Sequence, residues 1–202
     1  MQPPDFIYLA SMSPRRRQLL EQIGVRHELL VADADEDSEA LEATRAGELP
    51  AAYVQRVTLA KLRAARERLA RRGWPSAPIL CADTSVALGR RILGKPADAA
   101  DALRMLAQLS GRSHRVISGV ALFAGRRTTS SLNVSRVRFR PIAQAEIETY
   151  VASGEPFGKA GAYAIQSQAA CWIGRIEGSY SGIMGLPLFE TAQLLRRLAR
   201  RR

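Results

Sequence analysis

Apolar positions along the chain fall into two kinds of pattern, short continuous runs and stripes at helical spacing. FIYLA (6–10) is a short apolar run and predicts a buried strand. It feeds a stretch where Leu19, Leu20 and Ile23 take helical spacing, so a helix is expected over 14–23. Ser13 suits the N-cap of that helix and Pro14 its first position. HELLVAD (27–33) predicts a second strand, and the acidic stretch 33–50 has no clear period and reads as a loop. Pro50 opens a long helix over roughly 50–72, which Gly73 and Pro75 end. Its apolar stripe is Val54, Val57, Thr58, Leu62, Ala65 and Leu69.

APILCAD (77–83) reads as a strand, and SVALGRRILG (85–94) as a hairpin turning at Gly89–Arg90. Leu103, Leu106 and Leu109 predict a helix over roughly 98–109 with Gly111 as its stop. HRVISGVALFA and TTSSLNVSRVRFR are two long strands about a turn at Gly125. A short helix (143–152) ends at Ser153–Gly154, and the loop GEPFGKAGAYAIQS leads to a strand around ACWIGRI (170–176). A last helix is expected over 186–200. Long strand pairs with interspersed helices predict an α/β fold built on a mixed sheet. No low-complexity linker and no repeat of fixed period divides the chain, so 1–202 reads as one domain, bilobal with a cleft.

Composition narrows the class. With 202 residues, 47% hydrophobic and 24% charged, the chain is long and apolar enough to fold around a substantial core. No apolar run reaches the roughly 18 residues of a membrane span. MQPPDFIYLAS lacks the basic and long apolar parts of a secretory signal, which points to the cytoplasm. Two cysteines far apart, Cys81 and Cys171, and only two histidines argue against zinc, redox and His-triad chemistry. The net charge of +11 attracts polyanions. Nucleic acid is therefore a candidate partner, but not the favoured one. The basic residues fall in separate runs (15–17, 66–72, 196–202) with no RNA-binding signature or interleaved aromatics.

Some residues are out of place for folding alone. Arg15, Arg16 and Arg17 stand in the first turn of a helix, where a cation costs roughly 0.3–1 kcal/mol each. With Ser11 and Ser13 beside them they suit an anion; the alternative is arginines extending into water. Lys61 points into the apolar stripe of the helix 50–72, so it either snorkels to the surface or meets an anionic partner. Asp83, with Thr84 after it, ends the buried run ILCA, where a base or metal ligand is common; the plain alternative is a turn aspartate. Lys95 lies between Gly94 and Pro96. Asp33, Asp35, Glu36 and Asp37 form an acidic cluster that could hold magnesium or simply be solvated. Gln166 follows the apolar AYAI and could read a base edge or sugar. Together these suit a triphosphate with a divalent metal.

LASMSPRRRQLL, VTLAKLRAA, ADTSVALGRRILGKP, LSGRSHRVISGV, GEPFGKAGAYAIQ and IEGSYSGIMGLPL together resemble the Maf family of nucleoside triphosphate pyrophosphatases, in the family's order and over nearly the whole chain. The resemblance implies a mixed, strongly twisted sheet flanked by helices, two lobes with a deep cleft, and a homodimer. It implies hydrolysis between the α and β phosphates with a divalent cation, magnesium or manganese. Asp83 then matches the proton acceptor. Ser11, Ser13, Arg15 and Arg16 match the phosphate-binding signature, and Lys61 and Lys95 the two cleft lysines. Asp35 falls at the family's carboxylate position, so Asp35, Glu36 and Asp83 are the expected metal ligands. Arg15, Thr84 and Gln166 match positions tied to substrate choice. GEPFGKAGAYAIQ looks like the branch acting on dTTP and UTP. Ala164 and Ser167 stand where glycine is usual, and SGIMGLP replaces a more usual SNVVGLP-like stretch. An added Cβ at 164 or 167 would constrain Gln166 if the backbone there needs positive φ. Two other readings stay open: a regulatory binder of nucleotide or nucleic acid in septum formation, and an enzyme that removes modified nucleotides.

Overall fold

The computed structural model describes residues 6–199 except 34, 35 and 38, so Asp35 lies outside the described residues. Among the described residues, seven strands form one mixed sheet. β1 (Ile7–Leu9) runs parallel to β2 (His27–Leu29) and to β3 (Ile79–Leu88). From β3 onward the pairing is antiparallel, through β5 (Ser113–Ala124) and β6 (Arg127–Phe139) to β7 (Ile173–Glu177). The short β4 (Arg91–Leu93) pairs with β3 from Val86 to Leu88.

Side chains of a strand alternate between faces, and here both faces are covered. On one face lies α2 (Pro50–Arg71), whose Leu62 and Ala65 pack on Tyr8, Ile79, Cys81 and Ala121. Val54 and Val57 extend that contact to Ala87 and Ile117. The helix lies close to β5: a Cβ on Gly119 would collide with Thr58 Oγ1. Gly73, just past the helix end, takes the left-handed φ of 59° that only glycine adopts freely.

The opposite face carries two separate packed regions. α1 (Pro14–Gln22) and α6 (Leu188–Ala199) set Leu19, Leu20 and Leu194 against Leu9, Leu80, Ala82, Val120 and Leu122. Farther along the same strands, Val86 and Val116 join a cluster with α3 (Ala99–Leu109) and α4 (Gln144–Ala152). Edge-to-face contacts among His114, Phe139, Tyr163, Trp172 and Tyr150 fill it. Between the two regions stand paired Thr84 and Ser118, whose hydroxyls are 2.7 Å apart. A polar step thus divides an otherwise apolar face.

Several elements depart from the sequence reading. β3 does not end at Asp83: pairing with β5 continues through Asp83–Gly119 and Thr84–Ser118 to Ala87–Arg115. Apolar continuity stops at Asp83 while the backbone ladder does not. β2 is shorter than expected, and a 3₁₀ turn (Ala40–Glu42) lies within the acidic stretch. Gln168–Trp172 is a 3₁₀ turn, so the strand begins only at Ile173. A short helix, α5 (Tyr180–Met184), precedes α6. Five residues are too few to print a helical stripe.

Candidate active site

The site starts from a gap in the sheet. β1 pairs with β3 only at Ile79 and Leu80, and β4 pairs with it only from Val86 onward. Between them the β3 edge around Asp83 and Thr84 is open to a cleft of about 510 Å³. As consecutive strand residues, these two send their side chains to opposite faces. Asp83 meets α2 and Thr84 meets α1.

On the α1 side, Ser13 holds the N-cap position but its hydroxyl makes no capping bond. Its N–H instead donates to Ser11 Oγ at 3.2 Å. Arg16 folds back across the helix start. Its Nε donates to Gly185 O at 2.8 Å, Nη1 to Ser11 Oγ at 3.2 Å and Nη2 to Thr84 Oγ1 at 3.5 Å. These partners are neutral, so the positive charge is oriented without being cancelled. Burial pushes the guanidinium pKa of Arg16 down, while the charge of Asp83 pushes it back. Arg15 is lowered by burial too. Arg17 is exposed.

On the α2 side, Lys61 does not snorkel to water. Its Nζ lies 2.6 Å from Asp83 Oδ1 and 2.7 Å from Glu42 Oε1. Lys95 reaches Glu42 Oε2 at 3.1 Å. The Asp83 side chain is 8% exposed and that of Lys95 42%. Burial works against ionised Glu42, but Lys61 and then Lys95 prevail and hold its carboxyl below the usual range. Glu42 was missed by sequence reasoning, because an aperiodic acidic loop does not say which carboxylate turns inward.

Glu36, expected as a metal ligand, is placed elsewhere. Arg68 grips both its oxygens, Nε at 2.9 Å and Nη2 at 2.6 Å, and Arg71 adds a bond at 2.6 Å. These bonds, the one from Arg68 first, hold the Glu36 carboxyl at about 2. Arg68 also donates to Leu30 O at 2.9 Å, so this ion pair tacks the acidic segment onto α2. Arg72 likewise pairs with Asp33.

Ser11, Ser13, Arg15, Arg16, Lys61, Asp83, Thr84, Lys95 and Gln166 all line the one cleft. Gln166 is exposed at its wall, behind the buried run Ala162–Ile165. Among the described non-glycine residues positive φ occurs only at Ala162 (60°), and Ser167 has φ of −122°. The Cβ atoms of Ala164 and Ser167 therefore bring no backbone strain. The Ser167 hydroxyl donates to Ala164 O at 2.9 Å and pairs with Glu155. Lys159 also lines the cleft, and burial and then Arg15 lower its pKa. It too was missed, although GKAG frames it with glycine much as Gly94 and Pro96 frame Lys95.

For a hard cation, the described carboxylates lining the cleft are Asp83 and Glu42. Among the described residues no group of three or more His, Cys, Asp or Glu gathers to hold a metal. Magnesium needs only one or two carboxylates when phosphate oxygens complete its shell, so this donor set fits it.

The family model described as Maf-like protein matches residues 6–198. A dTTP/UTP pyrophosphatase of Albidiferax ferrireducens is 64% identical over 95% of this chain and 96% of its own. Proteins of the same description from Polaromonas sp. and Cupriavidus metallidurans are each 63% identical, over 97% and 95% of this chain and 97% and 96% of theirs. Matched from Phe6 almost to its end, and similar along nearly their whole length to these relatives, the chain belongs to the Maf family.

Proposed function

We propose that the protein hydrolyses dTTP and UTP to the nucleoside monophosphate and pyrophosphate. The observation that carries this reading is Asp83, a nearly buried carboxylate fixed by Lys61 in a cleft whose walls bring Arg15, Arg16, Lys95 and Lys159 together. The names of the relatives supply the nucleotides.

In this mechanism Lys61 orients the Asp83 carboxylate through Oδ1. Asp83 accepts the proton of a water that attacks the α phosphorus. Arg15, Arg16, Lys61 and Lys95 stabilise the charge that develops as pyrophosphate leaves. Ser11 and Ser13 shape the turn that receives a phosphate at the α1 start. Gln166 and Thr84 contact the base or sugar. A magnesium or manganese ion held by Asp83 and Glu42 would add Lewis-acid neutralisation of the phosphates. The reading includes the homodimer and the cytoplasmic setting expected from the sequence. No helix among the described residues is long and apolar enough to cross a membrane.

The test is pyrophosphate release from a panel of triphosphates, canonical and modified. The wild type is expected to turn over dTTP and UTP ahead of purine nucleotides. Asp83→Asn should lower turnover at least roughly a hundredfold while the thermal unfolding midpoint stays close to wild type. Turnover within a few-fold of wild type would assign the proton acceptor to another group. Stoichiometric binding without monophosphate product would make the protein a binder.

A further inference from the structure

In the mechanism above Glu42 serves only as a carboxylate for a bound cation, yet in this structure it touches both lysines of the cleft. Lys61 takes Oε1 at 2.7 Å, and Lys95 spans both oxygens, Oε2 at 3.1 Å and Oε1 at 3.3 Å. That is the arrangement a phosphate oxygen pair would adopt on two ammonium groups. The backbone around it is tied down independently of the carboxylate. Tyr53 OH donates to Glu42 O at 2.8 Å, and Arg56 donates to Leu41 O at 3.4 Å and Ala43 O at 2.8 Å. Arg56 is itself clamped by Glu48, at 2.6 and 2.7 Å. The main chain is therefore anchored, while the side chain, 26% exposed, can rotate away into the cleft mouth.

We infer that Glu42 is a specificity-determining residue, an internal stand-in for phosphate that holds Lys61 and Lys95 until a polyphosphate displaces it. The inference rests on the triphosphate reading of the cleft. A tethered carboxylate competes at an effective concentration on the order of millimolar or higher. An isolated phosphate, with a single point of attachment, loses that competition. A triphosphate that also engages Arg15, Arg16 and Lys159 wins it. When pyrophosphate leaves, Glu42 retakes the lysines and opposes rebinding. The residue thus sets a threshold favouring long phosphate chains and helps clear the product.

The test measures binding of inorganic tripolyphosphate and of pyrophosphate by calorimetry, so it does not depend on turnover. Glu42→Gln should bind both about five- to tenfold more tightly than wild type. Glu42→Asp keeps the charge but draws the carboxylate back from the lysines, and should shift affinity the same way. It carries the test alone if the glutamine variant does not fold. Glu39→Gln is the control: Glu39 lies 3.9 Å from Lys95 with its side chain 85% exposed, and its loss should change affinity less than about twofold. Equal or weaker binding by the glutamine variant overturns the inference. So does an aspartate variant that keeps wild-type affinity, since charge alone would then be at work. If the wild type binds and the variants do not differ from it, only this inference falls. If the wild type binds neither anion, the triphosphate reading falls first and takes this one with it.

Discussion

Two clusters of charge lie along α2, and both join it to the same acidic segment. Toward the helix end, Arg68, Arg71 and Arg72 take Glu36 and Asp33. Toward the cleft, Lys61 and, from beyond β4, Lys95 take Glu42 and Asp83. The first cluster is made of arginines, and Arg68 meets Glu36 as a two-pronged fork with its side chain only 6% exposed. The second is made of two lysines, one of them well exposed, which share Oε1 of Glu42 rather than each gripping a carboxylate as a fork. A planar fork resists exchange because two directed bonds must break together, whereas an ammonium is a point charge that can trade one oxygen for another. The arginine cluster therefore suits a permanent clasp, and the lysine cluster a site that must accept and release an anion.

The contrast is broken most forcefully at Arg68. Arg68→Ala leaves Glu36 near cationic Arg71 but removes a buried partner, and should cost about 3 kcal/mol, read as a lower midpoint in chemical denaturation. Arg68→Lys should recover less than half of that loss, because the fork is not rebuilt. Full recovery would mean that charge alone holds the segment. The opposite pattern is expected at Lys95. Lys95→Ala should change stability by less than about 1 kcal/mol, since that side chain is largely exposed, while weakening tripolyphosphate binding about tenfold. A large stability loss with unchanged binding would make the lysine cluster structural too.

The smallest effect is in acid. The folded-state carboxyl of Glu36 is held at about 2 by Arg68, below its ordinary 4.5. A carboxyl depressed on folding contributes stability above its unfolded pKa, and that share is lost as pH falls from 4.5 toward about 2. Glu42, also lowered, acts in the same direction. His114 differs in cause: burial alone brings its imidazole from 6.5 to about 4, so it is neutral in the fold. The unfolded chain takes up that proton first, and stability falls between pH 6.5 and about 4. Denaturation midpoints followed from pH 7 to 3 should thus decline in two stages. Glu36→Gln should flatten part of the lower stage and leave the upper one alone. A change in the upper stage would break this assignment.

Much of this is legible in the sequence. Pro50 and Gly73 bracket α2 because one lacks an N–H that the first turn does not use and the other tolerates positive φ. The misplaced Lys61 and the arginines of the α1 start were visible as violations of periodicity and of the helix dipole. At Lys61, Arg15 and Arg16 those violations mark residues that line the cleft, while Arg17 is exposed outside it. The position of Asp83 within its strand was misread, because a buried central strand shows an apolar run and not the extent of its hydrogen-bond ladder.

The sequence by itself determined the five longer helices, the long hairpins, and which side chains are costly where they stand. Local spacing carries that information, because the turn of a helix and the pleat of a strand are fixed by the backbone. Only the tertiary structure decided which opposite charge each of them meets. Glu36 went to Arg68, and Glu42 went to two lysines 19 and 53 positions away. An acidic loop has no period, so nothing in its order tells one carboxylate from the next. The choice falls to the sheet, which leaves a gap between β1 and β4 and lays α2 across it.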